Sequence, residues 1–160
     1  MELVGVLDNV RSRYNVGAIF RTADGLGVDK LYLCGITPKP DREEDRLSIA
    51  KTALGGEKFV AWEGAGETKE LVARLKRDGF FVVALETDVR GIPLPELITN
   101  FPSHIDRIAL IVGHEVYGIR HDVLDMANAV AEIPMNGSKH SLNVEVSFAI
   151  GAYSLLNDLK

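Results

Sequence analysis

Two segments that are apolar on both faces constrain the fold most strongly. "FFVVAL" at 80–85 and "RIALIVG" at 107–113 carry apolar side chains at nearly every position, which is typical of central strands in a parallel sheet. Four shorter apolar runs alternate with segments of helical period and lie at 3–7, 30–34, 58–62 and 129–135. This alternation predicts one α/β domain over residues 1–160, with a mainly parallel sheet flanked by helices.

Capping residues and structure breakers place the helices between these strands. The first helix is predicted to begin at Asn15, a good N-cap residue, and to end at Gly27. Further helices are predicted at 47–54, 68–79, 120–127 and 143–159. The proline-bearing segments 36–46 and 91–97 are predicted to interrupt regular structure.

Composition excludes several classes of protein. The single cysteine, Cys34, excludes a disulfide framework, and the four histidines lack metal-ligand spacing, so we expect no metal. No signal peptide or transmembrane segment is recognisable, so we expect a cytoplasmic protein without a membrane partner. No G-x-G-x-x-G follows the first strand, and no Ser-His-Asp or Cys-His signature has its structural context. The net charge of −5 disfavours a bulk nucleic-acid binder but permits a local basic surface.

The first predicted helix carries an arginine on the side away from the core. Its apolar face is formed by Val16, Ile19, Phe20, Ala23 and Leu26. Arg21 lies on the opposite side, within a strip of small residues made of Gly17, Ala18 and Gly25. Such a strip lets a ligand approach closely, and a guanidinium can donate two hydrogen bonds to a phosphate or carboxylate. The alternative is that Arg21 only pairs with Asp24 and that Asn15 only caps the helix.

Two more polar segments follow predicted strands, where parallel sheets form their sites. "GHEVYG" at 113–118 offers Gly113, which permits close approach of a ligand, and the carboxylate of Glu115. "IPMNGSKHSLNVEVSFAIGAYSL" at 133–155 contains two cap-type residues, Ser141 and Asn143, before an apolar helix. That helix carries a strip of small residues suited to tight packing on another helix, formed by Ser147, Gly151 and Ser154.

Taken together, the three segments resemble the three motifs of the SpoU/TrmH family of RNA ribose 2′-O-methyltransferases, in the SPOUT superfamily. "NVRSRYNVGAIFRTADGLGV" resembles motif one, "LIVGHEVYGI" motif two, and 133–155 motif three, in the family's order and spacing. The resemblance runs from about Leu3 to the C-terminus. It implies a C-terminal deep trefoil knot, S-adenosylmethionine as methyl donor, and a homodimer with the active site at its interface.

The resemblance also implies roles for individual residues. The catalytic set that matches the family motifs consists of Asn15, Arg21, Glu115, Ser141 and Asn143. The donor is expected against the backbone at Leu85, Gly113, Ile133 and Leu142. His114 stands where the family usually has asparagine, and Glu145 where it usually has a small residue. Both departures concern the identity of the substrate more than the chemistry.

Basic residues near these motifs are the expected contacts to RNA. They are Arg11, Arg13, Arg42, Arg46 and Lys139. The chain begins at its first strand, so we expect no separate RNA-binding domain, which favours transfer RNA over ribosomal RNA as substrate. Two alternatives remain open: a domain that binds S-adenosylmethionine or RNA without catalysis, and a small-molecule α/β enzyme that matches the motifs by accident.

Overall fold

A computed structural model describes residues 1–159 and is built on one seven-stranded β-sheet. The strands are β1 (Glu2–Asp8), β2 (Lys30–Cys34), β3 (Ala61–Ala65), β4 (Phe81–Leu85), β5 (Ile92–Pro93), β6 (Arg107–Gly113) and β7 (Ala129–Glu132). Their order is β3-β2-β1-β6-β4-β7-β5, and every neighbouring pair is parallel. The two segments predicted to be central, β4 and β6, are neighbours inside the sheet, which confirms that prediction.

Helices connect the strands and cover both faces of the sheet. They are α1 (Arg13–Leu26), α2 (Glu43–Ala53), α3 (Gly56–Phe59), α4 (Thr68–Arg77), α5 (Leu94–Thr99), α6 (His121–Leu124) and α7 (Val144–Asn157). One apolar layer joins the sheet to α1 and α7 through residues such as Phe20 and Phe148. The other joins the opposite face to α4 and α6 through residues such as Leu75 and Val123.

The predicted start of α1 at Asn15 is wrong by three residues. Ser12 is the N-cap, and its hydroxyl accepts a hydrogen bond from the Asn15 backbone N–H at 3.3 Å. This bond satisfies one of the free amides of the first turn, so the Asn15 side chain is not needed as a cap. The predicted end is confirmed, since Gly27 adopts the left-handed conformation that glycine favours (φ 75°).

Other boundaries also differ from the predictions. Helix α2 begins at 43, not 47, because three acidic residues occupy its first turn and interact favourably with the helix dipole. The third strand covers 61–65, not 58–62, because a short helix, α3, occupies 56–59. The last strand ends at 132, and the helices predicted at 120–127 and 143–159 are shorter, at 121–124 and 144–157. The predicted break at 91–97 instead contains β5 and α5, whose first turn accommodates a proline.

Close packing fixes α7 against the sheet. A Cβ at Gly5 of β1 would lie 2.6 Å from Leu31 Cδ2 and 2.9 Å from Phe148 Cε2, so any larger residue would displace these two side chains. Cys34 is a buried core residue, as predicted, and burial raises the pKa of its thiol to about 12. The packing of Phe148 on β1 holds the first turn of α7 near the carboxyl ends of the central strands.

Candidate active site

The loops that follow β4, β6 and β7 meet around one small cavity. Its volume is about 160 Å³, and α7 closes it with Val144 and Ser147. The cavity brings together six of the predicted site residues, namely Leu85, Gly113, Glu115, Ile133, Ser141 and Leu142. All four positions expected to contact the methyl donor therefore lie in one place, although Leu85 and Leu142 are 57 residues apart in the sequence.

Glu115 joins the loop after β6 to the start of α1. Its carboxylate accepts hydrogen bonds from the backbone N–H groups of Arg11 (3.0 Å) and Ser12 (2.9 Å) and from Asn15 Nδ2 (3.0 Å). Partial burial by itself raises the pKa of the Glu115 carboxyl, but the hydrogen bonds together lower it below the ordinary value. Glu115 thus stays ionised at neutral pH and orients the Asn15 amide.

Replacing Glu115 with glutamine should loosen this junction. A neutral amide accepts the same bonds less well, so we expect the free energy of unfolding to fall by about 1 kcal/mol at pH 7, since solvent screens part of the interaction. Because folding lowers the pKa of Glu115, its contribution is complete above the unfolded pKa of about 4.3 and is lost as the pH falls through the folded value. Urea unfolding of both proteins at neutral and acidic pH should therefore show a difference that shrinks in acid; a constant difference would contradict this role.

Glu86 is a site residue that the sequence did not reveal. One carboxylate oxygen accepts a hydrogen bond from the Ile119 backbone N–H (2.9 Å), and the other accepts one from the Thr87 N–H (3.0 Å). It also contacts Gly118, where a Cβ would lie 2.3 Å from Glu86 Oε2. Glu86 therefore fastens the loop after β4 to the loop after β6 on the wall of the cavity. The only signal in the sequence is a charged residue placed directly after a buried strand.

His114 organises the loop in which it lies. Its Nδ1 accepts hydrogen bonds from the backbone N–H groups of Val116 (3.0 Å) and Tyr117 (3.3 Å), and its ring packs on Tyr117 with centroids 4.8 Å apart. The side-chain oxygen of an asparagine can accept the same kind of local bond in an Asx turn. His114 therefore makes, through Nδ1, the kind of local bond that an asparagine makes in such a turn.

Arg21 does not line the cavity. It lies instead in a groove of about 1030 Å³ between α1, the end of α2 and α7, and no residue lines both spaces. Among residues 1–159 no ion pair joins Arg21 to Asp24, so the surface-pair alternative is not supported. The prediction of an accessible strip of small residues beside Arg21 is correct for Ala18 and Gly25, which line the groove. It is wrong for Gly17, which is buried so tightly against α2 that a Cβ would lie 2.3 Å from the Ile49 carbonyl oxygen.

The motif-three residues divide between the two spaces. Ser141 lines the cavity, and Asn143 is the exposed N-cap residue of α7 but makes no side-chain capping bond. Glu145, in the first turn of α7, faces the groove that contains Arg21. The first turn of α7 is thus the wall between the cavity and the groove.

The residues predicted to contact RNA differ in whether their charge is already paired within the chain. The Arg13 guanidinium pairs with Asp45 and lies 3.4 Å from Glu44, so its charge is largely used to join α1 to α2. The other four are exposed and are Arg11, Arg42, Arg46 and Lys139. Within residues 1–159, no helix is long and apolar enough to cross a membrane, and no three His, Cys, Asp or Glu side chains are placed to hold a metal ion.

The cavity lies at the carboxyl ends of the central strands, which is where open parallel α/β sheets bind their ligands. The sequence profile of the SpoU rRNA Methylase family matches residues 2–153. The chain belongs to this family, which confirms the resemblance drawn from its three motifs.

Similar proteins and solved structures agree with this assignment. The chain is 29% identical over 158 residues to a tRNA (guanosine(18)-2′-O)-methyltransferase of Borreliella burgdorferi, covering 99% of this chain and 67% of the relative. It is 33% identical over 151 residues to an uncharacterized tRNA/rRNA methyltransferase of Mycobacterium tuberculosis, covering 94% of this chain and 50% of the relative.

Two solved structures show the same fold. The AdoMet-bound rRNA methyltransferase from Sinorhizobium meliloti superposes with a TM-score of 0.83 at 26% identity, covering 95% of this chain and 54% of that one. The TrmH/SpoU tRNA modifying enzyme of Aquifex aeolicus superposes with a TM-score of 0.82 at 27% identity, covering 98% and 75%. The chain thus spans between half and three quarters of the length of these proteins.

Proposed function

We propose that this chain is an S-adenosylmethionine-dependent methyltransferase that methylates a ribose 2′-hydroxyl in RNA, with transfer RNA favoured over ribosomal RNA. The observation that carries the proposal is the junction of Glu115 with Asn15 beside the cavity, because it joins motifs one and two of the family at one site. The names of the Borreliella and Aquifex relatives, both tRNA (guanosine(18)-2′-O)-methyltransferases, support transfer RNA as substrate.

The cavity suits S-adenosylmethionine in its chemistry. Apolar side chains of Leu85, Ile133 and Leu142 offer surface to an adenine ring, and the loops around them offer backbone polar groups. The bound donor would supply a methyl group on a positively charged sulfur, which is already activated for transfer. The residues of this chain therefore have to align the hydroxyl with the methyl group and assist the departure of its proton.

Each polar residue takes a separate part in this reaction. Asn15, which is oriented by Glu115, and Ser141 position the ribose and the donor relative to each other. Asn143, at the start of α7, contributes to the same positioning. Arginine keeps its proton at neutral pH, so Arg21 acts as a clamp for the RNA phosphate and stabilises developing negative charge. Water then accepts the proton of the 2′-hydroxyl. The alternative role for Arg21, as the base itself, is weaker for the same reason.

The same proposal includes a homodimer. The groove with Arg21 is lined by apolar side chains that are largely exposed in one chain, such as Tyr14 (64%), Leu54 (66%) and Tyr153 (55%). A second copy that covers this groove would remove them from water and bring its own cavity loops to Arg21. The site is then shared, with Arg21 supplied to the cavity of the partner. The fold shared with family structures also supports a C-terminal trefoil knot, in which the C-terminal segment threads through a loop.

Donor binding separates the proposal from its rivals. We expect the purified protein to bind S-adenosylmethionine in isothermal titration calorimetry and to have the mass of a dimer by light scattering. A protein that binds neither S-adenosylmethionine nor RNA would be the small-molecule enzyme of the alternative. A protein that binds the donor but transfers no methyl group to any RNA would be the non-catalytic binding domain.

A further inference from the structure

A second cavity, here called the edge cavity, lies at the edge of the sheet. It is separate from the groove that contains Arg21 and from the cavity between the loops after β4, β6 and β7, here called the loop cavity. Its volume is about 390 Å³, within the range of small-ligand sites, and no residue that lines it also lines the other two spaces. It is formed by the loop before α2, one face of α2, and the segment from α3 into β3. Its lining residues include Pro40, Arg46, Leu47, Lys58 and Trp62.

The floor of this edge cavity is apolar and partly rigid. Trp62 is half-buried, since part of its indole packs against the core cluster while another part lines the cavity. Beside it, Leu47 is 55% exposed and Pro40 is half-buried. An aromatic ring held by the core loses little conformational freedom when a flat ligand stacks on it.

The rim of the edge cavity is positively charged. Arg46 and Lys58 are exposed, and neither forms a salt bridge with any of the residues 1–159. The acidic neighbour, Glu57, directs its carboxylate to the backbone N–H of Gly55 at 3.1 Å, so it is engaged locally. In a chain with a net charge of −5, two free cations beside a half-buried aromatic ring that lines the cavity favour an anionic, flat ligand.

We propose that the edge cavity binds one unpaired nucleotide of the RNA substrate, outside the catalytic centre. The base stacks on Trp62 between Pro40 and Leu47, and the flanking phosphates are held by Arg46 and Lys58. Stacking on an aromatic side chain with phosphate contacts nearby is how proteins hold single-stranded nucleic acid without reading its sequence. Arg42, the exposed N-cap residue of α2, lies one helical turn before Arg46 and adds a third cation at this end of the helix, whose first turn also carries Glu43, Glu44 and Asp45. The proposal rests on RNA being the substrate.

Trp62 is the only tryptophan of the chain, so its fluorescence reports on the edge cavity directly. The probe is a mixed-sequence single-stranded RNA of about 12 nucleotides, within the footprint of common single-strand sites. We expect saturating RNA to quench most of the Trp62 emission, and the same RNA annealed into a duplex to quench little. Adenosine monophosphate at equal nucleotide concentration should also quench little; equal quenching would assign the cavity to free nucleotides and overturn the proposal.

Charge reversals test the rim and leave the reporter in place. We expect Arg46→Glu and Lys58→Glu each to weaken the quenching titration and to reduce the dependence of log K on log salt concentration by about 0.7 or more. Trp62→Leu, followed by anisotropy of labelled RNA, should bind roughly 5- to 150-fold more weakly. The control is Arg77→Glu, an exposed arginine on α4 at the opposite face of the sheet, which should leave all three values unchanged.

Measuring methyl transfer alongside Trp62 quenching distinguishes failure of the edge cavity proposal from failure of the proposed function. If the wild-type protein methylates RNA while Trp62 emission stays constant and the rim variants keep full affinity, the edge cavity proposal fails and the function stands. If no RNA is methylated but single-stranded RNA still quenches Trp62 in the predicted way, the function fails, and the edge cavity stands only as a binding site for an unpaired nucleotide. Equal losses in Arg77→Glu and the rim variants would mean general electrostatics and would overturn the cavity proposal.

Discussion

With the proposed role of Arg21, we expect Arg21→Lys to lower methyl transfer to RNA by about 100-fold or more, since a catalytic hydrogen-bond donor aimed at developing charge contributes an effect of this size. Lysine keeps the positive charge but loses the planar fork that donates two parallel hydrogen bonds to a phosphate. The loss should appear in kcat rather than in the binding of S-adenosylmethionine, because Arg21 lies outside the loop cavity. Radiolabelled transfer under saturating donor, with calorimetry of donor binding, measures both quantities.

The matched control for this substitution is Arg77→Lys, which makes the same chemical change at an exposed position on α4. We expect its methyl transfer to equal that of the wild-type protein. Full activity in Arg21→Lys would show that only charge is needed at this position and would contradict the role of the guanidinium as a bidentate clamp. Arg21 is exposed and lies in the groove, so neither protein should lose stability.

Two inactive variants regain activity when they are mixed, if the site is shared across the dimer. Arg21→Ala removes the clamp, and Ser141→Ala impairs the loop cavity, so each homodimer has two defective sites. In a mixed dimer, one site contains both substitutions and the other contains neither. An equal mixture that has exchanged subunits should therefore reach about one quarter of wild-type activity, because half of the dimers are mixed and each has one intact site.

If each active site is formed within a single chain, mixing the two variants restores no activity. If Arg21 served the cavity of its own chain, every site in the mixture would contain one substitution, and activity would stay at the level of the separate variants. Subunit exchange is verified independently by mass spectrometry of differently tagged chains.

Ile150→Asp, in the groove, is a second test of the dimer. It should yield monomers by light scattering and abolish methyl transfer, since a charge would then lie at the surface that the partner covers.

The central part of the fold could be predicted because it follows from local patterns. Segments 80–85 and 107–113 are apolar on both faces, and only the middle of a parallel sheet accommodates two such neighbours. The boundaries could not be predicted as well. Ser12 and Asn15 are both good caps, and the choice between them depends on Glu115, which engages the Asn15 amide across 100 positions of sequence.

The sequence predicts only those parts of the site that belong to the three motifs. The motif residues Gly113, Glu115 and Ser141 line one cavity, whereas Asn15, Arg21 and Asn143 of the same motifs do not. Glu86 belongs to no motif, and its part in the site depends on the backbone of Ile119, 33 positions away. The place of Arg21 in a groove, apart from the cavity, is likewise invisible in the sequence, because it depends on how α1 and α7 pack together.

The central claim is that this chain methylates ribose in RNA, and transfer of labelled methyl groups from S-adenosylmethionine into total RNA tests it most directly. The RNA is separated by size after the reaction, and each fraction is digested with alkali, which cannot cleave the bond that follows a 2′-O-methylated ribose. The account predicts label in an alkali-resistant dinucleotide from the transfer RNA fraction. Label released as ordinary mononucleotides, or no label although donor and RNA both bind, would contradict it.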